Sequence, residues 1–539
     1  MKLAAIDIGT NSIHMIIVDT AGQRPFAVVD REKTMVKLGA GLFGTRRISE
    51  RALQAGLETM RRYVKLAERV GAEEVLAVAT SASREAENGG EFLNAIYRET
   101  GINPRVISGT EEGQLIFRAV RDAIDLGEER ALVFDIGGGS VESIVGNRHE
   151  VLLSESLRLG VLRLLDGFGA RGALSQKQAD QLKGYVRGVA SEFFRQAAQL
   201  GYARVIGTSG TIRSLGEAAH LAAGNSPWRS LNAEVVTTSA LADMAKKLVG
   251  MSEEERAKLA GISEQRADAI HLGAVLLVEL LEEANAKQLT LCDVSLREGV
   301  VLDWLDHHGE PLQVRPHVSD VRRRSVVELA RKYDRDDPHE RHVAALAISL
   351  FDQTQDVHGL GDAERELLEF AALLHGIGTQ LSFPRRHLHA RYIVRNSQLR
   401  GFSEDEVEQL GLLVRYHRGP PPKKKHRGMH GIGRAQRRAV RLLSGILRIA
   451  VALDRGQTQV VKRVTGKRTK GTLDLVVAGI GDLELELWAA RRKTKPLADV
   501  LGLDVRVLSE LEARDAEASP STSTSRRSND EHPRVPAER

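Results

Sequence analysis

Asp7-Ile8-Gly9-Thr10 and Asp135-Ile136-Gly137-Gly138-Gly139-Ser140 are two glycine-flanked aspartate turns, each closing a short apolar run. Glycines let backbone N–H groups come close to a ligand and point at it, which suits an anion. The aspartate beside them would repel phosphate on its own. It is accounted for if it holds a divalent cation that stands between carboxylate and phosphate. Thr10, Asn11 and Ser12 in the first turn, and Gly137, Gly138, Gly139 and Ser140 in the second, become the candidate phosphate contacts. A third turn, Gly207-Thr208-Ser209-Gly210-Thr211, opens a helix whose free N–H groups at Ser209, Gly210 and Thr211 add an anion-binding end. One such turn alone is equally well a ligand-free hairpin. Two at matching places in the chain argue for a clamp.

Working outward, apolar alternation predicts a three-strand meander over 3–8, 14–18 and 26–30, then a helix over 49–70. Strands at 75–79 and 105–107 and helices at 91–100 and 110–124 follow. The order then restarts with strands at 131–135, 143–145 and 150–155, a helix at 175–200, a strand at 204–208 and a helix at 210–220. Two lobes with one order of elements point to a duplicated α/β unit, 1–126 and 127–305. From 320 to 433 the spacing is helical, with segments at 326–332, 339–357, 364–375, 389–396 and 403–417. A small α+β segment is expected at 434–514, with a helix at 434–453 and paired strands at 473–477 and 483–487. Residues 515–539 are polar and core-poor and read as a disordered tail.

Composition narrows the function classes. Single cores rarely exceed about 250–300 residues, so 539 residues imply several domains. Aromatics at 4% speak against a broad stacking surface for single-stranded nucleic acid. The lone Cys292 excludes a disulfide framework and reads as a buried, inert thiol. No stretch approaches the roughly 18 apolar residues of a membrane span, so a cytoplasmic protein with no membrane partner is expected. Between 415 and 441 there are ten Lys/Arg and no Asp or Glu, a stretch that would attract a long polyanion or remain a solvated loop.

Six ordered blocks carry a family resemblance: IDIGTNSIHMIIVD (6–19), VATSASREAEN (78–88), VISGTEEGQLIFRAV (106–120), VFDIGGGSVE (133–142), IGTSGTIRSL (206–215) and SLREGVV (295–301). They resemble the exopolyphosphatase and guanosine pentaphosphate phosphohydrolase (Ppx/GppA) family, within the actin, sugar-kinase and heat-shock ATPase superfamily. The resemblance implies an α/β fold of duplicated actin-like (ribonuclease H-like) lobes, an all-α HD-like domain and a small C-terminal α+β segment. It implies that Glu112 is the general base, that Arg84 grips phosphate, and that Asp135 and Glu142 hold Mg2+ or Mn2+. Cleaving a phosphoanhydride with water needs these parts: a base, charge neutralisation and fixed donors. Arg31 is a lesser candidate, equally explained as a structural ion pair, and His14 reads as a structural strand histidine.

In the helical half, Leu374-His375-Gly376-Ile377-Gly378 resembles the LHDIG element of HD phosphohydrolases, with glycine where the motif has aspartate. The resemblance therefore implies an HD-like fold with a degenerate site formed by His339, His375, His387 and His417. The leading expectation is a magnesium-dependent exopolyphosphatase acting on inorganic polyphosphate. Guanosine pentaphosphate is the alternative substrate, and a non-catalytic polyphosphate- or alarmone-binding regulator is the alternative of another class. A homodimer is expected from the resemblance, and nucleic acid is the least favoured partner.

Overall fold

The computed structural model describes residues 1–21, 26–169, 172–308, 321–333, 335, 337–397, 399–426, 428–469 and 471–518. The chain forms two compact units. One takes Met1–Lys332 and Val394–Glu408; the other takes Tyr333–Ile393 and Gln409 onward.

The first unit is built on two sheets. Strands β1 (Lys2–Ile8), β2 (Ser12–Asp19), β3 (Ala27–Met35), β4 (Glu74–Ala79) and β5 (Arg105–Val106) lie in the order β3-β2-β1-β4-β5. Strands β6 (Ala131–Ile136), β7 (Val141–Gly146), β8 (Val151–Leu157), β9 (Arg204–Thr208), β10 (Val235–Thr237) and β11 (Gln288–Leu291) lie in the order β10-β11-β9-β6-β7-β8. In each sheet an antiparallel meander is followed by a strand that returns parallel to the first, β4 beside β1 and β9 beside β6. The duplication expected from element order is therefore present in topology and in strand direction.

Alternation along the strands decides where the aspartates point. Leu3 and Ala5 of β1 pack in one core, whereas Ala4, Ile6 and Ile8 pack in another. In β6, Ala131 and Val133 join the first of these cores, and Leu132, Phe134 and Ile136 turn away from it. With a side-chain period of two, Asp7 and Asp135 fall on the faces that both sheets turn toward one shared layer. That layer also holds Leu115, Ile116 and Phe117 of the helix Gly109–Ala123 and Leu296, Val300 and Val301 of the helix Leu296–His308. The returning segment Val394–Glu408 is tied to this unit by the Arg400–Asp122 ion pair and by Gly401 N–H donating to Ala123 O at 3.0 Å.

Helix ends follow the sequence closely. Ser49, Ser108 and Ser175 each accept a backbone N–H into the first turn of their helices, and Gly71 ends the first of them at φ 83°. Cys292 is fully buried, and burial pushes its thiol well up, as an inert core residue requires.

The second unit packs the helices Pro338–Gln353, Asp362–Leu374, Glu404–Tyr416 (its end only, from Gln409) and Arg434–Ala452 beside a three-stranded sheet. The sheet consists of β12 (Val461–Thr469), β13 (Thr472–Gly479) and β14 (Asp504–Ser509), in that order. The expected helix at 339–357 breaks at Thr354, whose hydroxyl donates back to Leu350 O at 2.7 Å. The strand expected at 483–487 is corrected: these residues enter the helix Glu484–Arg491. Asp482 Oδ1 accepts the Glu484 N–H at 2.8 Å and caps that helix, and buried Glu486 accepts the Gly456 N–H at 3.0 Å. Five alternating residues were too few to resist that cap. The partner of β13 is instead the lysine- and arginine-rich β12. Of the expected tail, 515–518 belong to the helix Glu510–Ala518, and 519–539 lie outside the described residues. Among the described residues no helix is long and apolar enough to cross a membrane.

Candidate active site

The two turns are built alike. Gly9 N–H donates to Ser12 O at 3.1 Å, and Gly137 N–H donates to Ser140 O at 2.9 Å. Strand register sets Asp7 opposite His14 and, at the matching place, Asp135 opposite Glu142. The serines match as well: Ser12 Oγ lies 2.7 Å from His14 Nε2, and Ser140 Oγ donates to Glu142 Oε1 at 2.7 Å. Burial, helped by Arg297 and Lys33, pushes His14 down to about 2, so it is a neutral imidazole. The duplication thus gives one turn a neutral partner and the other an acidic one.

The turns face each other across a cavity of about 450 Å³. A methyl group on Gly138 would meet Thr10 Cβ at 3.0 Å and Asn11 Cβ at 3.3 Å, so only glycine lets the turns approach this closely. The third turn lines the same cavity, and Ser209 holds φ at 84°, a strained value for a side-chain-bearing residue. A Cβ on Gly210 would fall 1.9 Å from Arg266 Nη2, so the missing side chain makes room for a guanidinium.

Asp7, Glu112, Asp135 and Glu142 line this cavity, together with Glu32, Glu217 and Asp293. Glu112 is raised to the cavity from the first turn of its helix, after the Ser108 cap. Burial pushes Asp7 up to about 7, with Arg297 opposing and Glu142 and Glu298 adding to it. Burial, then Glu142, then Asp7 hold Asp135 well above the usual carboxylate range. Glu112 is held well above it by burial and by Glu142 and Asp7, against the pull of Arg84. Glu142 is also raised by burial, although Ser140 and Ser156 both donate to its Oε1, at 2.7 and 2.8 Å. Asp7 Oδ1 and Glu112 Oε2 are shut off from solvent without a hydrogen-bond partner. Buried carboxylates that raise one another in this way fit a bound divalent cation. Among the described residues no three His, Cys, Asp or Glu side chains form a ready-made metal cage.

Cations line the same cavity: Lys33, Arg213, Arg266 and Arg297, with Arg31. Burial lowers Arg266 to about 10, with Arg213 adding to the effect, and burial with these arginines lowers Lys33 to about 8. Arg84 stands behind Glu112, with Nη1 donating to Ile107 O at 2.6 Å and lying 3.5 Å from Glu112 Oε2. Arg31 pairs with buried Glu298 at 3.7 Å. Sequence reasoning missed Arg213, Arg266 and Arg297. Two of them were inside quoted blocks: Arg213 in IGTSGTIRSL, where an arginine after a glycine turn was the available signal, and Arg297 in SLREGVV, in the first turn of a helix. Arg266 lies in the short turn Glu264–Arg266, which carries no motif.

In the second unit His339, His375 and His417 form a row, with ring centroids 5.5 and 5.2 Å apart. Nδ1 of each is engaged, by Asp454 Oδ2 at 2.8 Å, Ala372 O at 2.7 Å and Val414 O at 2.6 Å. Burial pushes His375 down to about 4 and His417 well below the usual histidine range. His387 sits against Gly419, close enough to act on His417, and is pushed down to about 4 by burial and the guanidinium of Arg418. A Cβ on Gly376 would fall 2.4 Å from Glu340 Oε1, so a carboxylate from a neighbouring helix occupies the space that a side chain at 376 would need.

Residues 16–308 match the Ppx/GppA phosphatase family, and residues 321–486 match Ppx/GppA phosphatase domain III. The guanosine-5'-triphosphate,3'-diphosphate pyrophosphatase of Aeromonas hydrophila subsp. hydrophila is 30% identical over 480 residues, covering 88% of this chain and 92% of that one. Its namesake from Aeromonas salmonicida is 31% identical over 413 residues, covering 76% and 79%. An exopolyphosphatase from Cytophaga hutchinsonii, known from its crystal structure, aligns with a TM-score of 0.55 at 29% identity, over 57% of this chain and 98% of that one.

Proposed function

The chain belongs to the Ppx/GppA phosphatase family, which hydrolyses phosphoanhydride bonds, and on that footing we propose that it is a magnesium-dependent exopolyphosphatase with Glu112 as general base. The observation that carries this reading is the cavity between the two aspartate turns, lined by buried carboxylates and cationic side chains together. Lys33, Arg213, Arg266 and Arg297 suit the oxygens of successive phosphates. Thr10, Asn11, Ser12, Gly137, Gly138, Gly139, Ser140, Ser209, Gly210 and Thr211 would surround the terminal groups. Asp135 and Glu142, with Asp7 across the cavity, would hold the magnesium ion, which when bound neutralises charge on the phosphate oxygens.

Glu112 orients a water and takes its proton as the water oxygen bonds to the terminal phosphorus. The bridging P–O bond breaks, and its electron pair stays with the oxygen of the shortened chain. Arg84 holds the Glu112 carboxylate in place and offers its remaining donors to the incoming phosphate. A carboxylate base whose pKa is held above its ordinary range is better matched to this transfer than a free one.

Guanosine pentaphosphate is the second reading, favoured by the activity for which the Aeromonas relatives are named. Among the described residues no Phe, Tyr or Trp lines the cavity to stack a guanine, which supports the inorganic chain. Long polyphosphate and guanosine pentaphosphate, assayed side by side for phosphate release by the purified protein, separate the two. Tight binding of either without release would favour a regulator. The histidine row of the second unit is read as a degenerate site without a working metal, in a domain of HD-like ancestry, and the protein as cytoplasmic.

A further inference from the structure

A second cavity, of about 700 Å³, opens behind Glu112. Ser140 lines both cavities. Glu142, on the first cavity, is held by Ser140 and by Ser156, which lines the second. Glu112, on the first, is met at 3.5 Å by Arg84, which lines the second.

The second cavity is basic. Arg46, Arg84, Arg158 and Arg163 line it against one acid, Glu85. Arg163 is committed: it grips both oxygens of Glu85 at 2.7 and 2.8 Å, donates to Gly139 O and stacks on Phe43 at 3.9 Å. That neutralisation leaves Arg46 and Arg158, beside the Arg84 that is held by Ile107 O and Glu112, facing a space large enough for a small polyanion. Arg46 and Arg158 are exposed, and Arg46 lies at a distant 3.8 Å from Glu87.

Phosphoryl transfer to water places the attacking and leaving oxygens roughly in line. With the chain in the first cavity and the water on Glu112, the released phosphate forms on the Glu112 side, next to Arg84. We infer that the second cavity is a binding site for inorganic phosphate, through which the product leaves while the shortened chain stays between the aspartate turns. This rests on the reading of Glu112 as the base.

The test measures binding of labelled inorganic phosphate to the full-length protein by equilibrium dialysis, in wild type, Arg46→Ala, Arg158→Ala and Arg213→Ala. The two second-cavity variants are expected to weaken phosphate binding about tenfold each, the loss of one charge-assisted contact. Their KM for polyphosphate should stay within about twofold of wild type, since the chain does not pass them. Phosphate should lose potency as a product inhibitor in the same proportion. Arg213→Ala should instead raise the substrate KM and leave phosphate binding in place. Phosphate binding unchanged in both second-cavity variants, or absent in wild type, overturns the inference. So does a rise in substrate KM equal to the loss of phosphate binding, which would make this cavity part of the substrate path. A wild type that releases no phosphate defeats the proposed function instead, and the dialysis still decides whether the cavity takes phosphate.

Discussion

Asp135 and Glu142 face each other directly across the β6–β7 ladder, two carboxylates on neighbouring strands and both buried. Like charges in that register oppose folding unless something between them offsets the repulsion. At the matching register of β1–β2 the opposed pair is Asp7 and neutral His14. The molecule thus keeps the electrostatic conflict in one lobe, where a cation can resolve it.

Glu112→Gln should lower kcat by about 10²–10⁴-fold, the range for loss of a general base, while KM moves little. Glutamine keeps the shape and removes a buried charge, so thermal stability should hold or rise. Phosphate release and a melting curve on the same sample check both halves. Undiminished release would remove Glu112 from catalysis.

Arg84→Lys should reduce kcat/KM by about 10–100-fold, because an ammonium cannot hold Ile107 O and Glu112 while also forking onto phosphate. Steady-state kinetics on one polyphosphate length measures it. Wild-type kinetics in this variant would reduce Arg84 to a structural role.

Asp7 is raised to about 7 from an ordinary 3.8, so without a cation its ionisation costs the folded state increasingly as pH climbs between those values. The contribution is intact below about 4 and lost above 7. Asp7→Asn, with no proton to release, should therefore melt higher than wild type at pH 8 in EDTA and equally at pH 4. Added magnesium should stabilise wild type more than the variant at pH 8. Identical melting curves across this range would show that another group already neutralises the carboxylate.

Gly138→Ala and Gly210→Ala should differ in kind. The first drives a methyl against the stems of Thr10 and Asn11 and should cost about 1–3 kcal/mol of stability as well as activity. The second strikes only the tip of the flexible Arg266 side chain, so the fold should persist while the substrate KM rises. Chemical denaturation beside kinetics tells the two apart.

The parts of the site legible in the sequence are those whose chemistry is local. The aspartate turns could be read because carboxylate, glycines and hydroxyl lie within six residues, and the strand alternation that aims them was equally visible. Glu112 needed the family resemblance, since two glutamates in a first helical turn are otherwise ordinary. Arg266 and Lys33 were unreadable because only tertiary packing brings them to the cavity. The 483–487 error has a related cause: an Asp482 cap is local, but the buried Glu486 that anchors the helix reaches a residue thirty positions away. The meaning of Gly376 likewise depends on Glu340, which no pattern along the chain places beside it.

The segment Val394–Glu408 belongs to the first unit although the chain has already entered the second. The polypeptide therefore passes between the units at 332–333, 393–394 and 408–409, and no single cut can part them. A truncation ending at residue 332 would discard Arg400 and Gly401 and strip Asp122 and Ala123 of the partners described above. Shuffling the second unit onto another protein would require two splice points and the return of a borrowed loop. In this architecture the appended helices are spliced into the catalytic unit, not strung after it.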